Sequence, residues 1–122
     1  MDALQESAGR VYGQLGWGHR EVVYQRALVY DLLHGGHWVQ EEVAVPITYH
    51  LPGGPSVVVA TERADLVIGD LLVVELKVGS AQGAPLEAAM QQAARYRRHL
   101  VGVTLAAVVF FGKSSVSVRA LP

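Results

Sequence analysis

An α/β domain of the α+β kind, a mixed sheet with helices packed on it, is predicted by three observations. Two helix-period segments open the chain, three strand-period segments follow, and a further helical stretch and two extended runs close it. Apolar residues form 51% of the 122, enough for a real core. There is no internal repeat, low-complexity tract or linker, so residues 1–122 are expected to form one domain in the order ααβββαββ.

The first helix starts near Asp2, where Asp2 and Gln5 have capping-box spacing, and carries Leu4, Ala8, Val11, Tyr12 and Leu15 at helical intervals. Gly16-Trp17-Gly18 ends it. A second helix is predicted from about His19 to Leu33, stopped by Gly35-Gly36. Val22, Val23, Ala27, Leu28, Leu32 and Leu33 cover more than one of its faces, so it is expected to be well buried. From Trp38 the period becomes two: Val39, Glu41, Val43, Val45, Ile47 and Tyr49 fall on one side, Gln40, Glu42 and Thr48 on the other. Pro46 marks that strand as an edge or bulge. Leu51 to Pro55 is a turn, Val57 to Ile68 a second strand, Gly69-Asp70 a turn, and Leu71 to Val78 a third strand, central because Leu71 to Val74 are all apolar. Gly79 to Ala84 is a loop, and Pro85 is placed to open a third helix ending near Leu100. Leu105 to Phe111 and Val116 to Arg119 are the last strands.

Composition narrows the classes. The formal net charge is −1, so any polyanion site must be a local patch. Arg95, Arg97, Arg98 and His99 form the one basic cluster, and a cluster at a helix end is more often a solvated face complementing the helix dipole than a phosphate grip. Cysteine is absent, which excludes disulfides and thiolate metal sites. Asp2 and Glu6 stand where a secretory signal needs positive charge, and Val103 to Phe111 is too short to span a bilayer. A soluble cytoplasmic protein without membrane contact is expected.

The chemistry is concentrated in Arg63-Ala64-Asp65 and Glu75-Leu76-Lys77. Carboxylates are hard oxygen donors suited to Mg²⁺ or Mn²⁺, and a lysine two residues along the same strand face can orient or deprotonate a water. Such a group can hydrolyse a phosphodiester. It needs Asp65 and Glu75 on one sheet face. A two-residue turn at Gly69-Asp70 would place Asp65 across from Val74; a three-residue loop or a bulge places it across from Glu75, with Cβ atoms about 5 Å apart. The metal site thus requires an odd-length loop or a bulge. The competing reading makes all three residues exposed polar groups with Lys77 paired to either acid, but Glu75 ends a run that looks buried. The histidines are scattered; His34 and His37 have ligand-like spacing, but Gly35-Gly36 breaks the helix it would need. Gly16-x-Gly18 lacks the strand and third glycine of a dinucleotide loop.

These residues resemble the PD-(D/E)xK nuclease superfamily. More narrowly, Gly18-His19-Arg20-Glu21-Val22-Val23-Tyr24 is similar to the heptad that names the GxxExxY branch. Gln92 and Tyr96 match its later Gln-x-x-x-Tyr helix, and Val108 to Gly112 its closing strand, although Phe110 stands where Asn is commoner and Ala64 replaces the Pro before the acid. The resemblance covers nearly the whole chain. It implies a restriction-endonuclease-like core and a Mg²⁺- or Mn²⁺-dependent nuclease acting on DNA, with RNA an open alternative. Asp65 and Glu75 would ligate the cation with the Leu76 carbonyl, and Glu21 would be a further ligand directly or through water. Lys77 would hold the attacking water, and Gln92 would touch that water or the scissile phosphate. Arg63, Arg95 and Tyr96 are the expected substrate contacts, the alternatives being a surface salt bridge for Arg63, packing for Tyr96 and a solvated helix end for Arg95. A catalytically inactive binding or self-assembling module on the same fold is the other functional class, and a homo-oligomer would gather the sparse basic residues into one channel.

Overall fold

The computed structural model describes residues 1–122. Its elements are α1 (Asp2–Leu15), α2 (Glu21–His34), β1 (Val39–His50), β2 (Ser56–Ile68), β3 (Leu72–Val78), α3 (Gly83–His99), β4 (Leu105–Phe111) and β5 (Val116–Ala120), in the expected order. α2 starts at Glu21 rather than His19 because Gly18 is left-handed (φ 108) and Arg20 is still extended (φ −70, ψ 155). α3 starts at Gly83 and accommodates Pro85 in its first turn, where an N–H has no intrahelical partner.

The five strands form one sheet in sequence order. Only β3 and β4 are parallel; every other pair is antiparallel. A parallel neighbour needs a crossover, and α3 provides it. Two helical layers follow from strand alternation. On one face Leu4, Ala8, Leu28 and Leu32 pack on Leu66, Val74, Leu76, Val109 and Phe111. On the other, Ala89, Ala93 and Tyr96 of α3 pack on Val73, Val108 and Phe110. α1 and α2 are also tied by polar groups: the buried Ser7 hydroxyl donates to Asp31 at 2.7 Å, and Arg10 donates to the same carboxylate. No helix is long and apolar enough to cross a membrane.

Three local expectations fail. The capping box does not form: Met1 is the cap residue of α1 and no side chain caps it. The apolar residues of α2 span more than one face, but only one side is covered: Leu28 and Leu32 are buried while Val22, Tyr30 and Leu33 are exposed. Apolar count alone does not say whether a neighbour exists for each face. β1 does not keep one face either. Val39 packs with the α1/α2 layer, whereas Val43, Val45 and Ile47 pack with the α3 layer. The change of layer brackets Glu42, whose φ of 53 breaks the pleat. Pro46 does lie on an edge strand, and the β1–β2 register shifts next to it, between Ile47 and Thr48.

Candidate active site where β2 and β3 part

The loop between β2 and β3 has an odd length. Ile68 pairs with Leu72, leaving Gly69-Asp70-Leu71 outside the ladder. Gly69 (φ 61) and Asp70 (φ 57) make the reversal, and the Leu71 N–H closes it on the Ile68 carbonyl at 3.1 Å. The ladder then runs through Val67↔Val73 to Leu66↔Val74 and stops, although β2 extends back to Ser56 and β3 on to Val78. The next pair in that register is Asp65 and Glu75. In place of ladder bonds, the Asp65 N–H donates to Glu75 Oε1 at 3.0 Å and the Leu76 N–H donates to Asp65 Oδ2 at 2.7 Å. Each carboxylate therefore caps the other strand's backbone.

Glu75 is only 2% exposed. Burial, then the neighbouring Asp65 charge, push its carboxyl up to about 8. Asp65 is also raised, first by burial and then, among nearby charges, by Glu42, with Lys77 opposing. Glu21, at the first position of α2, is raised by burial and next by Asp65. The chain thus concentrates negative charge at this point and stabilises it incompletely. The donor set fits a hard divalent cation: two facing carboxylates, with their anionic forms disfavoured until a positive charge arrives. No three His, Asp or Glu side chains stand close enough to share one ion. Two carboxylates match Mg²⁺, which commonly takes one or two and keeps several waters.

A stability consequence follows. Glu75 titrates near 4.5 in the unfolded chain and near 8 in the folded one. Between these values the folded state holds a proton that the unfolded state lacks, so stability is greatest at the acidic end and declines as pH rises. In EDTA, the melting temperature is expected to fall from about pH 5 to about pH 8. Glu75→Gln should flatten this slope; an unchanged slope would contradict the assignment to Glu75.

Glu75 and Lys77 alternate with Val74 and Leu76, which face α1 and α2, so both look toward α3. Lys77 makes no salt bridge. With Gln92 and Arg95 it lines a cavity of about 530 Å³. Gln92 Nε2 donates to the Tyr96 hydroxyl at 2.9 Å, and Tyr96 is 3% exposed, so Tyr96 holds Gln92 rather than offering a free surface. The Arg95 guanidinium donates to Glu62 at 3.0 Å and lies over the Tyr96 ring. Arg63 is exposed and unpaired, and it does not line this cavity. Leu76 is engaged through its N–H.

Two residues escaped the sequence reading. Glu42 lies between the pairs Glu41↔Leu66 and Val43↔Ala64, opposite Asp65, in a left-handed conformation that costs a non-glycine residue roughly 1–2 kcal/mol. Gln25, 4% exposed, donates from Nε2 to Glu42 at 3.0 Å. The available signal was Gln25 among the apolar residues Tyr24, Leu28, Val29 and Leu32 on the buried side of α2. Tyr24, the last residue of the Gly-x-x-Glu-x-x-Tyr heptad, is fully buried and stacked on Phe111 with centroids 4.3 Å apart, and its hydroxyl donates to the Gly16 carbonyl.

The model of the PD-(D/E)XK nuclease superfamily matches residues 1–120. The solved structure of SSO0001 is similar, with a TM-score of 0.54 and 17% identity, over 96% of this chain and 65% of that one. At such identity the likeness speaks for the fold alone. No curated protein sequence matches the chain. The family match spans both acids, the lysine and every element of the sheet, and the chain belongs to the PD-(D/E)XK nuclease superfamily.

Proposed function

We propose that residues 1–122 act as one Mg²⁺- or Mn²⁺-dependent deoxyribonuclease unit of the GxxExxY branch. The observation that carries this reading is the reciprocal capping of Asp65 and Glu75 beside an unpaired Lys77. Asp65 and Glu75 would hold the cation with the Leu76 carbonyl, and Glu21 would reach it through a water. When bound, such a cation lowers the pKa of a water and screens phosphate charge.

The remaining roles belong to the chain's own groups. The Lys77 ammonium orients the attacking water and stabilises negative charge developing on the phosphoryl oxygens. The water oxygen bonds to phosphorus and gives up one proton to solvent as the P–O ester bond breaks, and the departing oxygen takes up one proton from solvent. Gln92, fixed by Tyr96, presents its amide to the phosphate from the α3 side. Arg63, two residues before Asp65, and Arg95, which lines the cavity with Lys77 and Gln92, would meet the flanking backbone of the substrate; Arg95 must exchange Glu62 for phosphate to do so.

The test begins with melting temperature. Mg²⁺ or Mn²⁺ should raise it, by the equivalent of about 2.7 kcal/mol at a hundredfold excess over Kd, and Asp65→Asn should remove the rise. Linear DNA, circular DNA and RNA with Mg²⁺ then define the substrate. No thermal shift and no cleavage of any substrate would sink the proposal. A thermal shift without cleavage would leave a cation-binding scaffold.

A further inference from the structure

A second crevice lies at the same end of the sheet, beyond the point where the parallel strands β3 and β4 finish. Its volume is about 300 Å³. Three loops and the start of β5 wall it: the α1–α2 loop through Trp17, the β3–α3 loop through Ser80, the β4–β5 turn through Lys113 and Ser115, and β5 through Ser117. None of the residues assigned above to cation or phosphate chemistry lines it. Ligands of open sheets collect beyond the carboxyl ends of parallel strands.

The crevice floor is fixed by backbone packing. A Cβ at Gly112 would meet the Ser115 carbonyl oxygen at 2.9 Å and the Gly79 carbonyl oxygen at 3.3 Å. The Gly112 N–H donates to that Ser115 carbonyl, and the Gly79 N–H donates to the Phe111 carbonyl at 3.0 Å. Only glycine lets the turn and the β3–α3 loop approach this closely.

Its chemistry is the opposite of the carboxylate site. The chain has two lysines, Lys77 and Lys113, and both stand at this end. Lys77 pairs with Phe110, three residues before Lys113. Lys113 makes no salt bridge, and no acid lines the crevice. The hydroxyls of Ser80, Ser115 and Ser117 have no protein partner. An ammonium with free hydroxyl donors and no carboxylate suits an anion. Trp17, 46% exposed and without an aromatic neighbour, adds a platform on which a base can stack.

We propose that this crevice holds a non-scissile phosphate of the substrate strand, with an adjoining base stacked on Trp17. The inference rests on the nuclease reading for the identity of the strand, and on the crevice itself for the anion and the stack. Binding here would anchor the strand beyond Lys77 and offset the chain's lack of net positive charge.

The test is a titration of the full chain with a fluorescein-labelled single-stranded DNA oligonucleotide in EDTA, where cleavage cannot intrude. Trp17→Ala is expected to weaken binding roughly tenfold, with Trp17→Phe restoring part of it. Lys113→Ala should weaken binding and reduce the salt slope by about one. Both variants should keep the wild-type Mg²⁺-induced thermal shift. In a Trp38→Phe background Trp17 is the one indole left, and the oligonucleotide should quench it at concentrations where inorganic phosphate does not. Equal quenching by inorganic phosphate would make this a free-anion site and overturn the proposal. So would wild-type affinity and salt slope in Lys113→Ala, or no binding by the wild type. Lys113-dependent binding without Mg²⁺-dependent cleavage would uphold the crevice and remove hydrolysis, so the two readings fail separately.

Discussion

Replacing Lys77 by alanine is expected to lower Mg²⁺-dependent strand cleavage roughly 10²–10³-fold while leaving the cation-induced thermal shift in place. Lys77 donates to no acid, so its removal breaks no ion pair of the fold. It is half-buried at the mouth of the α3-side cavity, two residues beyond Glu75 on the same face. Its charge favours the ionised forms of Glu21, Asp65 and Glu75. The variant should therefore also raise the pH at which the metal-free carboxylates lose their protons. Lys77→Arg is not expected to restore full activity, because a guanidinium is wider, planar and never deprotonated. Cleavage by Lys77→Ala at the wild-type rate would remove this residue from the chemistry.

Phe111→Ala is expected to destabilise the fold by about 3–5 kcal/mol. For a chain of this size that is a fall in melting temperature of about 10–20 °C. Phe111 is fully buried and stacked nearly parallel on Tyr24, with 6° between the ring planes. Its loss leaves a cavity between β4 and α2 and unseats Tyr24. Tyr24 in turn holds the α1–α2 loop through the Gly16 carbonyl, one helical turn from Glu21. Tyr24→Phe keeps the stack and loses only the hydroxyl's two bonds, to the Gly16 carbonyl and, at 3.4 Å, from the His19 N–H, so about 1–2 kcal/mol is expected. Thermal denaturation of the two variants side by side separates packing from tethering; equal losses would contradict this division.

Most of the architecture was legible because the strands β2, β3 and β4 have long apolar runs and glycines at their ends. The spacing of Asp65 and Glu75 posed the right geometric question without answering it. Leu71 reads as strand because it is apolar, yet its N–H closes the turn and its carbonyl accepts from Thr104 and Leu105. That one residue decides the parity of the loop. Glu42 was not legible for a different reason: nothing in a Glu–Glu pair signals a left-handed backbone, which only the surrounding sheet imposes. The outer face of α2 was misjudged because periodicity shows which residues can share a side, not whether anything covers it. Gln25 was passed over because its partner, Glu42, lies 17 residues away on another element.

The reciprocal bonds between Asp65 and Glu75 bear on how an inert form of this protein should be made. Each acid satisfies a main-chain amide of the facing strand, so truncation to alanine would orphan the Leu76 or Asp65 N–H as well as remove a charge. Loss of cutting in such a mutant would be indistinguishable from misfolding. Isosteric amides, Asn at 65 and Gln at 75, retain an acceptor oxygen and discharge the site without unzipping the sheet.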